Sequence, residues 1–427
     1  MQCPKCNHAF EEKEEIRDVI DELEPEEASE KKSCCPQKKP RQKMYKPSWI
    51  LIGMIGLLVS FFIIFILANG SLHTKERNDL FEDGLCPIYV SEENAFGYVN
   101  KKGELVIAAE YEDALPFSYR LAAVKKDGKW GYVNTKGEMV IKAEYSKALS
   151  FARNGLAPVS QDGLWGYVSR NGAIAITPQF VEAESFGKES LALVRARDGL
   201  YGYINRRGLY VIEPKFYKAE SFDVMGYAIV FSSHGGYGMI NKQGEFVINP
   251  QFDLLEPFSS NGVALVEQGG LYGYVNRDGL YIIEPQYRYA ESFTDNGLAL
   301  VYVDGEGFGF INKRGDLVVD AIYDSANSFS DGFASVRKDG VWHFIDKNGE
   351  AITEPRYLYA DDAETGLALA TDKDGHDVYV NKKGEEVIRL DAGAEGTRFC
   401  TDGYALVYDA ATDAYHIINK KGEVIFS

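Results

Sequence analysis

A chain of 427 residues that is 45% hydrophobic and 26% charged holds more than one ordinary domain and enough apolar surface for a large core. Its 42 glycines, without a collagen period, ask for many turns. The formal net charge is −18, and residues 1–47 hold ten Lys/Arg against eleven Asp/Glu, so −17 falls after residue 47. A body that acidic repels nucleic acid, which is excluded as a partner, and anionic polymers such as phosphate-rich wall glycans.

The chain begins MQCPKCNHAF, in which Cys3 and Cys6 flank a tight Pro-Lys turn. That spacing is one knuckle of a tetrahedral zinc site. Cys34 and Cys35 are the candidate second pair, with His8 as a substitute ligand. Residues 1–10 resemble the short zinc ribbons that precede a membrane span in many bacterial proteins. The resemblance implies a Zn2+ site on Cys3, Cys6, Cys34 and Cys35. Cys34-Cys35-Pro36 departs from the C-x-x-C pattern, and adjacent side chains diverge. Two reduced, unligated pairs are the alternative. Residues 11–47 read as a charged, mostly disordered cytoplasmic linker, in which Ile16, Val19, Ile20 and Leu23 recur at helical spacing.

Trp49–Ala68 reads WILIGMIGLLVSFFIIFILA, 20 residues without a charge. At 1.5 Å per residue this crosses a hydrocarbon core of roughly 30 Å. The reading is a transmembrane helix over 48–69, followed by a short linker at 70–77. The charged stretch before it is far too long for the n-region of a signal peptide. Seven Lys/Arg between Lys31 and Lys46 precede the span, and Lys75 and Arg77 follow it. That bias puts the N-terminus in the cytoplasm and residues 78–427 outside the cell membrane. Cys86 and Cys400 then sit where disulfides can persist.

From residue 78 onward one phrase recurs. Copies of GYVN and its variants start at Gly97, Gly131, Gly166, Gly202, Gly238, Gly273 and Gly309. Degenerate copies start at His343, Val378 and His416. The period is near 35 residues, which means an array of one supersecondary unit. Leu200–Phe222 and Leu271–Phe293, two periods apart, agree at 16 of 23 positions. Each unit reads as a strand, a turn such as Lys126-Asp127-Gly128, and a second strand such as Trp130–Val133. A tetrapeptide ending in glycine follows in all ten copies, usually N-x-x-G, then a third strand. Asn opens a type I turn there, and glycine takes the left-handed position. A connector of the form A-x-x-F-x-x-G closes the unit. The prediction is an all-β array of ten antiparallel β-meanders of three strands, with four as the alternative. Neighbours must stack, because no copy can bury both faces alone.

These residues resemble the WG-repeat (KWG-repeat) family of bacterial proteins. Lys129-Trp130-Gly131-Tyr132 and Leu164-Trp165-Gly166-Tyr167 match its signature, while Val341-Trp342-His343 and Tyr415-His416 lose the glycine. The resemblance covers residues 80–427. It implies an extracytoplasmic or scaffolding β-repeat module and brings no catalytic residues. A stack of β-units leaves open edges unless it closes. The last copy lacks the A-x-x-F connector, and Asn78–Gly84 fits the missing piece. A propeller-like closed array is expected, with an open β-solenoid as the alternative. Closure would bring Cys86 and Cys400 towards each other.

Trp130 and Tyr132 share one sheet face, as do Trp165/Tyr167, Tyr201/Tyr203 and Tyr272/Tyr274. They form either an aromatic ladder for sugars or peptides, or the contact between neighbouring copies. Residues repeated in every copy usually serve the contact that repeats, so packing is the preferred reading. No nucleophile elbow, zinc-protease motif, P-loop or kinase set is present. Asp372-Lys-Asp374-Gly375-His-Asp377 has the look of a calcium loop but lacks its spacing and terminal Glu, and reads as a turn. His234, His343, His376 and His416 share no partner pattern. No catalytic or cofactor residue is assigned. The expectation is a single-pass membrane protein whose outer array binds a protein, peptide or envelope component, is not an enzyme, and permits signalling through the span. The rival is an envelope-acting hydrolase with a site at the centre or end of the array.

Overall fold

The computed structural model describes residues 79–426, apart from Glu189 and His234. The expected span, the four tail cysteines and the linkers lie outside the described residues. Among those described, no helix is long and apolar enough to cross a membrane.

The second copy shows the unit. Leu121–Lys126 and Lys129–Asn134 pair antiparallel around Asp127-Gly128. Both turn residues have positive φ, 52° and 73°, the two-residue turn whose twist matches that of the strands. Met139–Tyr145 adds a third strand. On the other edge Asp113–Ala114 pairs with Leu121–Lys126. The fourth strand is thus the head of the A-x-x-F connector, and it pairs with the copy that follows. Ten antiparallel sheets of three or four strands repeat this plan.

Two glycines per copy have separate causes. In N-x-x-G, all ten glycines have positive φ, as at Gly137 (82°) and Gly422 (76°). The Asn side chain caps the turn: Asn134 Oδ1 accepts from the Lys136 and Glu138 amides at 2.9 and 3.1 Å. The glycine of the WG phrase answers a bulge. Trp130 pairs with Tyr145 and Tyr132 with Ile141, so residues 142–144 of the third strand arch over Gly131. A methyl there would lie 2.5 Å from the Ile141 carbonyl oxygen and 2.7 Å from the Ala143 nitrogen. The gap beside this glycine is therefore filled by its own sheet's backbone.

Copies stack through apolar side chains. Tyr132, Ile141, Tyr145 and Phe151 share one buried cluster with Ala157, Val159 and Val168 of the next copy. Each N-x-x-G turn rests on the third strand before it: a methyl on Gly137 would meet Ile107 at 3.1 Å, and one on Gly244 would meet Ile212 at 3.2 Å.

The same contacts recur between the last copy and the first. Gly103 backs onto the Ile425 carbonyl. Phe81 packs edge-on against Tyr404 at 4.9 Å, as Phe258 packs on Tyr227 at 5.8 Å inside the array. The Phe81 amide donates to Asp402 Oδ2 at 3.0 Å, and Thr401 Oγ1 donates to Asp79 Oδ1 at 2.6 Å. The ten sheets therefore close into a ten-bladed propeller, and the open solenoid does not form. Residues 79–84 take the connector's place at the seam.

Candidate functional site

The aromatic ladder is used up by packing. Tyr98, Tyr132, Tyr167, Tyr203 and Tyr274 are wholly buried. Each hydroxyl donates to a connector carbonyl 17 residues on, as Tyr132 does to Leu149 at 2.8 Å and Tyr203 to Glu220 at 2.6 Å. Each ring also meets the connector phenylalanine, as in Tyr98–Phe117 at 4.8 Å and Tyr274–Phe293 at 4.7 Å. Burial pushes all five phenols up from their ordinary range. Trp130 and Trp165 lie partly buried against the cores of their copies. None of the five tyrosine rings is offered to a ligand.

A second repeated contact was legible in the tetrapeptides but needed the structure to be understood. The second residue of the tetrapeptide is Lys or Arg in nine of ten copies, Thr135 being the exception. Six of these cations reach back to the turn that leads into the preceding copy. Arg170 donates to the Tyr119 carbonyl at 2.7 Å, Arg206 to Asn154 at 3.0 Å and Lys313 to Asn261 at 2.9 Å. Lys101 carries the clamp across the seam to Asp402, 3.8 Å away. In four copies the cation also lies over its own copy's turn glycine: a methyl on Gly262 would meet Arg277 at 3.2 Å, one on Gly403 would meet Lys420 at 3.4 Å, and Gly155 and Gly226 face Arg170 and Lys242 in the same way. Turn side chain and hairpin cation compete for one place. The second copy makes the opposite choice. Arg120 holds the glycine position at φ 68°, and Thr135 replaces the cation. A shallow cleft of about 310 Å3, lined by Asp83, Gly84, Leu85, Arg120 and Thr135, opens there.

The larger departure lies in the last three copies. His343, Val378 and His416 stand where the WG glycine would, and the third strands of these copies depart from the regular plan. In the ninth copy Val378 pairs with Arg389 and Tyr379 with Ile388, consecutively, without the bulge. In the eighth, the third strand is reduced to the isolated bridges Trp342↔Tyr357 and Ile345↔Ala351. His343 is buried, and burial pulls its pKa down, so its imidazole is held neutral.

This loosened region carries the polar groups that no repeat rule explains. A cleft of about 420 Å3 is lined by Tyr359, Thr371, Asp377, Glu395 and Gly396 among others. Asp377 accepts from Thr371 Oγ1 through one oxygen and from the Gly396 amide through the other, both at 2.9 Å. Arg389 pairs with Asp372 and donates to His376 Nδ1 at 2.8 Å. Arg398 lies 3.6 Å from both Asp361 and Asp362. Asp372 caps its turn as Asn does elsewhere, accepting from the Asp374 and His376 amides at 2.9 and 3.0 Å. The calcium-loop likeness is thus turn geometry. No group of three or more His, Cys, Asp or Glu suited to a metal occurs among the described residues.

The structure brings His376 into this charged group and keeps His343 in the eighth copy's core; His416 sits 3.9 Å from Asp409 in the tenth. His234, Cys3, Cys6, Cys34 and Cys35 lie outside the described residues. Sequence reasoning missed Arg389, Arg398 and Asp377 as a group, because they come from two strands and a connector.

A family model described as "WG containing repeat" matches seven consecutive segments: 96–130, 130–165, 165–200, 201–231, 237–272, 272–306 and 308–342. The matches stop where the glycine is lost. No curated protein matches the chain. Among solved structures, a eukaryotic initiation factor aligns with TM-score 0.46 and 11% identity over 71% of this chain and 94% of its own. BamB from Moraxella catarrhalis aligns with TM-score 0.31 and 11% identity over 78% and 99%. The designed protein Ika8 aligns with TM-score 0.31 and 11% identity over 62% and 94%.

Proposed function

Because the chain belongs to the WG-containing repeat family, we propose that it is a membrane-anchored, extracytoplasmic binding scaffold without catalytic activity, and that it holds a protein or peptide at the cleft of its ninth and tenth copies. The observation that carries this reading is a division of labour. The repeated polar groups of the regular copies hold turns, connectors and clamps, whereas the cleft around Tyr359, Asp377 and Glu395 is lined by groups outside that scheme. Asp377 and Glu395 line it, and Asp361 and Asp362 pair with Arg398, and Asp372 and Asp374 with Arg389, in the same two copies. An acidic lining on an acidic chain favours a basic peptide segment. Anchoring rests on the uncharged run Trp49–Ala68 and the basic residues before it.

The test is capture from the organism's own envelope extract by the purified full chain, beside an Asp377→Asn, Glu395→Gln variant. The expected result is one partner retained by the wild type and lost by the variant, with release at raised salt. Equal capture by both would remove the cleft from the reading. Turnover of an envelope component, abolished by the same variant, would replace the scaffold with the hydrolase.

A further inference from the structure

The described residues contain two cysteines, and both lie at the seam where the ring is closed without a covalent link. Cys86 is on the first strand of the first copy, paired with Val99. Its place is alanine in each of the nine other copies, from Ala122, paired with Val133, to Ala405, paired with Ile418. Cys400 follows Phe399, the connector phenylalanine that packs on Tyr379 at 4.8 Å. Other copies put small or polar residues there, such as Ser118 and Ser259. Cysteine therefore departs from the repeat twice, and both departures meet across one junction. The residues beside Cys400 make that junction: Thr401 binds Asp79, Asp402 binds the Phe81 amide, and Tyr404 packs on Phe81. Both thiols are buried, at 3% and 2% exposure. Burial pushes the Cys86 thiol up, and the neighbouring Cys400 adds to the effect.

We propose that Cys86 and Cys400 are a disulfide-forming pair that locks the propeller at its seam. The oxidant is a protein or low-molecular-weight disulfide. One cysteine thiolate attacks it, forming a mixed disulfide and releasing one thiolate of the oxidant. The second cysteine thiolate then attacks the mixed disulfide at the first cysteine's sulfur. The Cys86–Cys400 bond forms and the oxidant's other sulfur leaves as a thiolate. The two cysteines lose two electrons and two protons, and the oxidant is reduced to its dithiol. The buried thiols, with their raised pKa (about 12 for Cys400), are poor nucleophiles in the closed ring. The bond is therefore made while the seam is still open during folding, and is shielded from reductants afterwards. It bridges nearly the whole array, the case in which a cross-link restricts the unfolded chain most.

The test does not depend on what the cleft binds. The purified full chain is unfolded, refolded in a buffer of reduced and oxidised glutathione, alkylated and digested without reduction. A fragment joining Cys86 to Cys400 is expected by mass spectrometry, with a melting temperature at least about 5 °C above the reduced protein. Cys86→Ala, which restores the residue of the nine other copies, is expected to fold and to lose the redox-dependent shift. Two alkylated thiols, glutathione on either cysteine, or the same shift in Cys86→Ala would each overturn the proposal.

Discussion

Copies one to seven and copies eight to ten share one ring but obey different rules. In the first group a glycine lies under an arched third strand, and a methyl at any of the seven would stand within 2.8 Å of backbone. In the second, His343, Val378 and His416 fill that place, and the third strand runs without the arch in the ninth copy and is nearly lost in the eighth. The comparison teaches that the glycine of the WG phrase is a consequence of the bulge. It also shows where the ring can change: once the bulge is gone, the edge is free to carry unshared polar groups such as Arg389 and Asp377.

Alkaline pH should separate the two groups most strongly. The five wholly buried tyrosines with hydroxyl-to-carbonyl bonds in copies one to six have folded pKa values raised above the unfolded value of about 10 by burial. Their contribution is fully present below about pH 10 and falls as pH rises, by about 1.4 kcal/mol per pH unit for each phenol still protonated when folded and ionised when unfolded. Copy nine holds one such tyrosine, Tyr379, while copies eight and ten have Phe344 and Ile417 in its place. Hydrogen exchange between pH 9 and 11 should show the first six copies losing protection before the last three. Uniform loss would break the comparison.

Next in size, Gly131→Ala should cost about 4 kcal/mol, since the clash is with backbone that cannot yield without undoing the bulge. Val378→Ala at the matching place should cost only about 2 kcal/mol, the loss of two buried methyls. Denaturant midpoints measure both, and equal costs would mean that the bulge is not what demands glycine. Tyr132→Phe keeps the ring and removes the bond to Leu149, for about 1.5 kcal/mol; the same measurement at pH 11 should show a smaller penalty. The smallest effect tests the clamp. Thr135→Lys alone should not stabilise, because the Arg120 side chain occupies the place a lysine stem would need. Thr135→Lys with Arg120→Gly should gain about 1 kcal/mol over the single variant. Additive effects would show that the two sites do not compete.

Much of the fold was legible from the chain. The ten anchors, the left-handed glycine of every N-x-x-G and the fitting of Asn78–Gly84 to a missing connector predicted the unit and its closure. The clamp was visible as Lys or Arg in the second place of nine of the ten tetrapeptides, but its target lies about 50 residues away, on the preceding copy's leading turn. The bulge was not visible, because it is a two-strand register shift and no residue type announces it; Pro178 and Ala143 hold the same place in it. The charged group of Asp372, His376 and Arg389 was half visible: Asp372 and His376 share one turn of the sequence, and Arg389 joins them from the third strand, Glu386–Arg389.

Local chemistry determined what each stretch of about 35 residues would do. Apolar alternation makes strands, and glycine and asparagine make turns, through forces that act within a few residues. The tertiary structure decided what depends on two copies meeting: which glycine lies under backbone, which cation reaches which carbonyl, and that the tenth sheet meets the first. Such contacts arise from the small rotation between neighbouring copies, repeated around the ring. Only the sum of ten rotations, which no single copy carries, sets Cys86 beside Cys400.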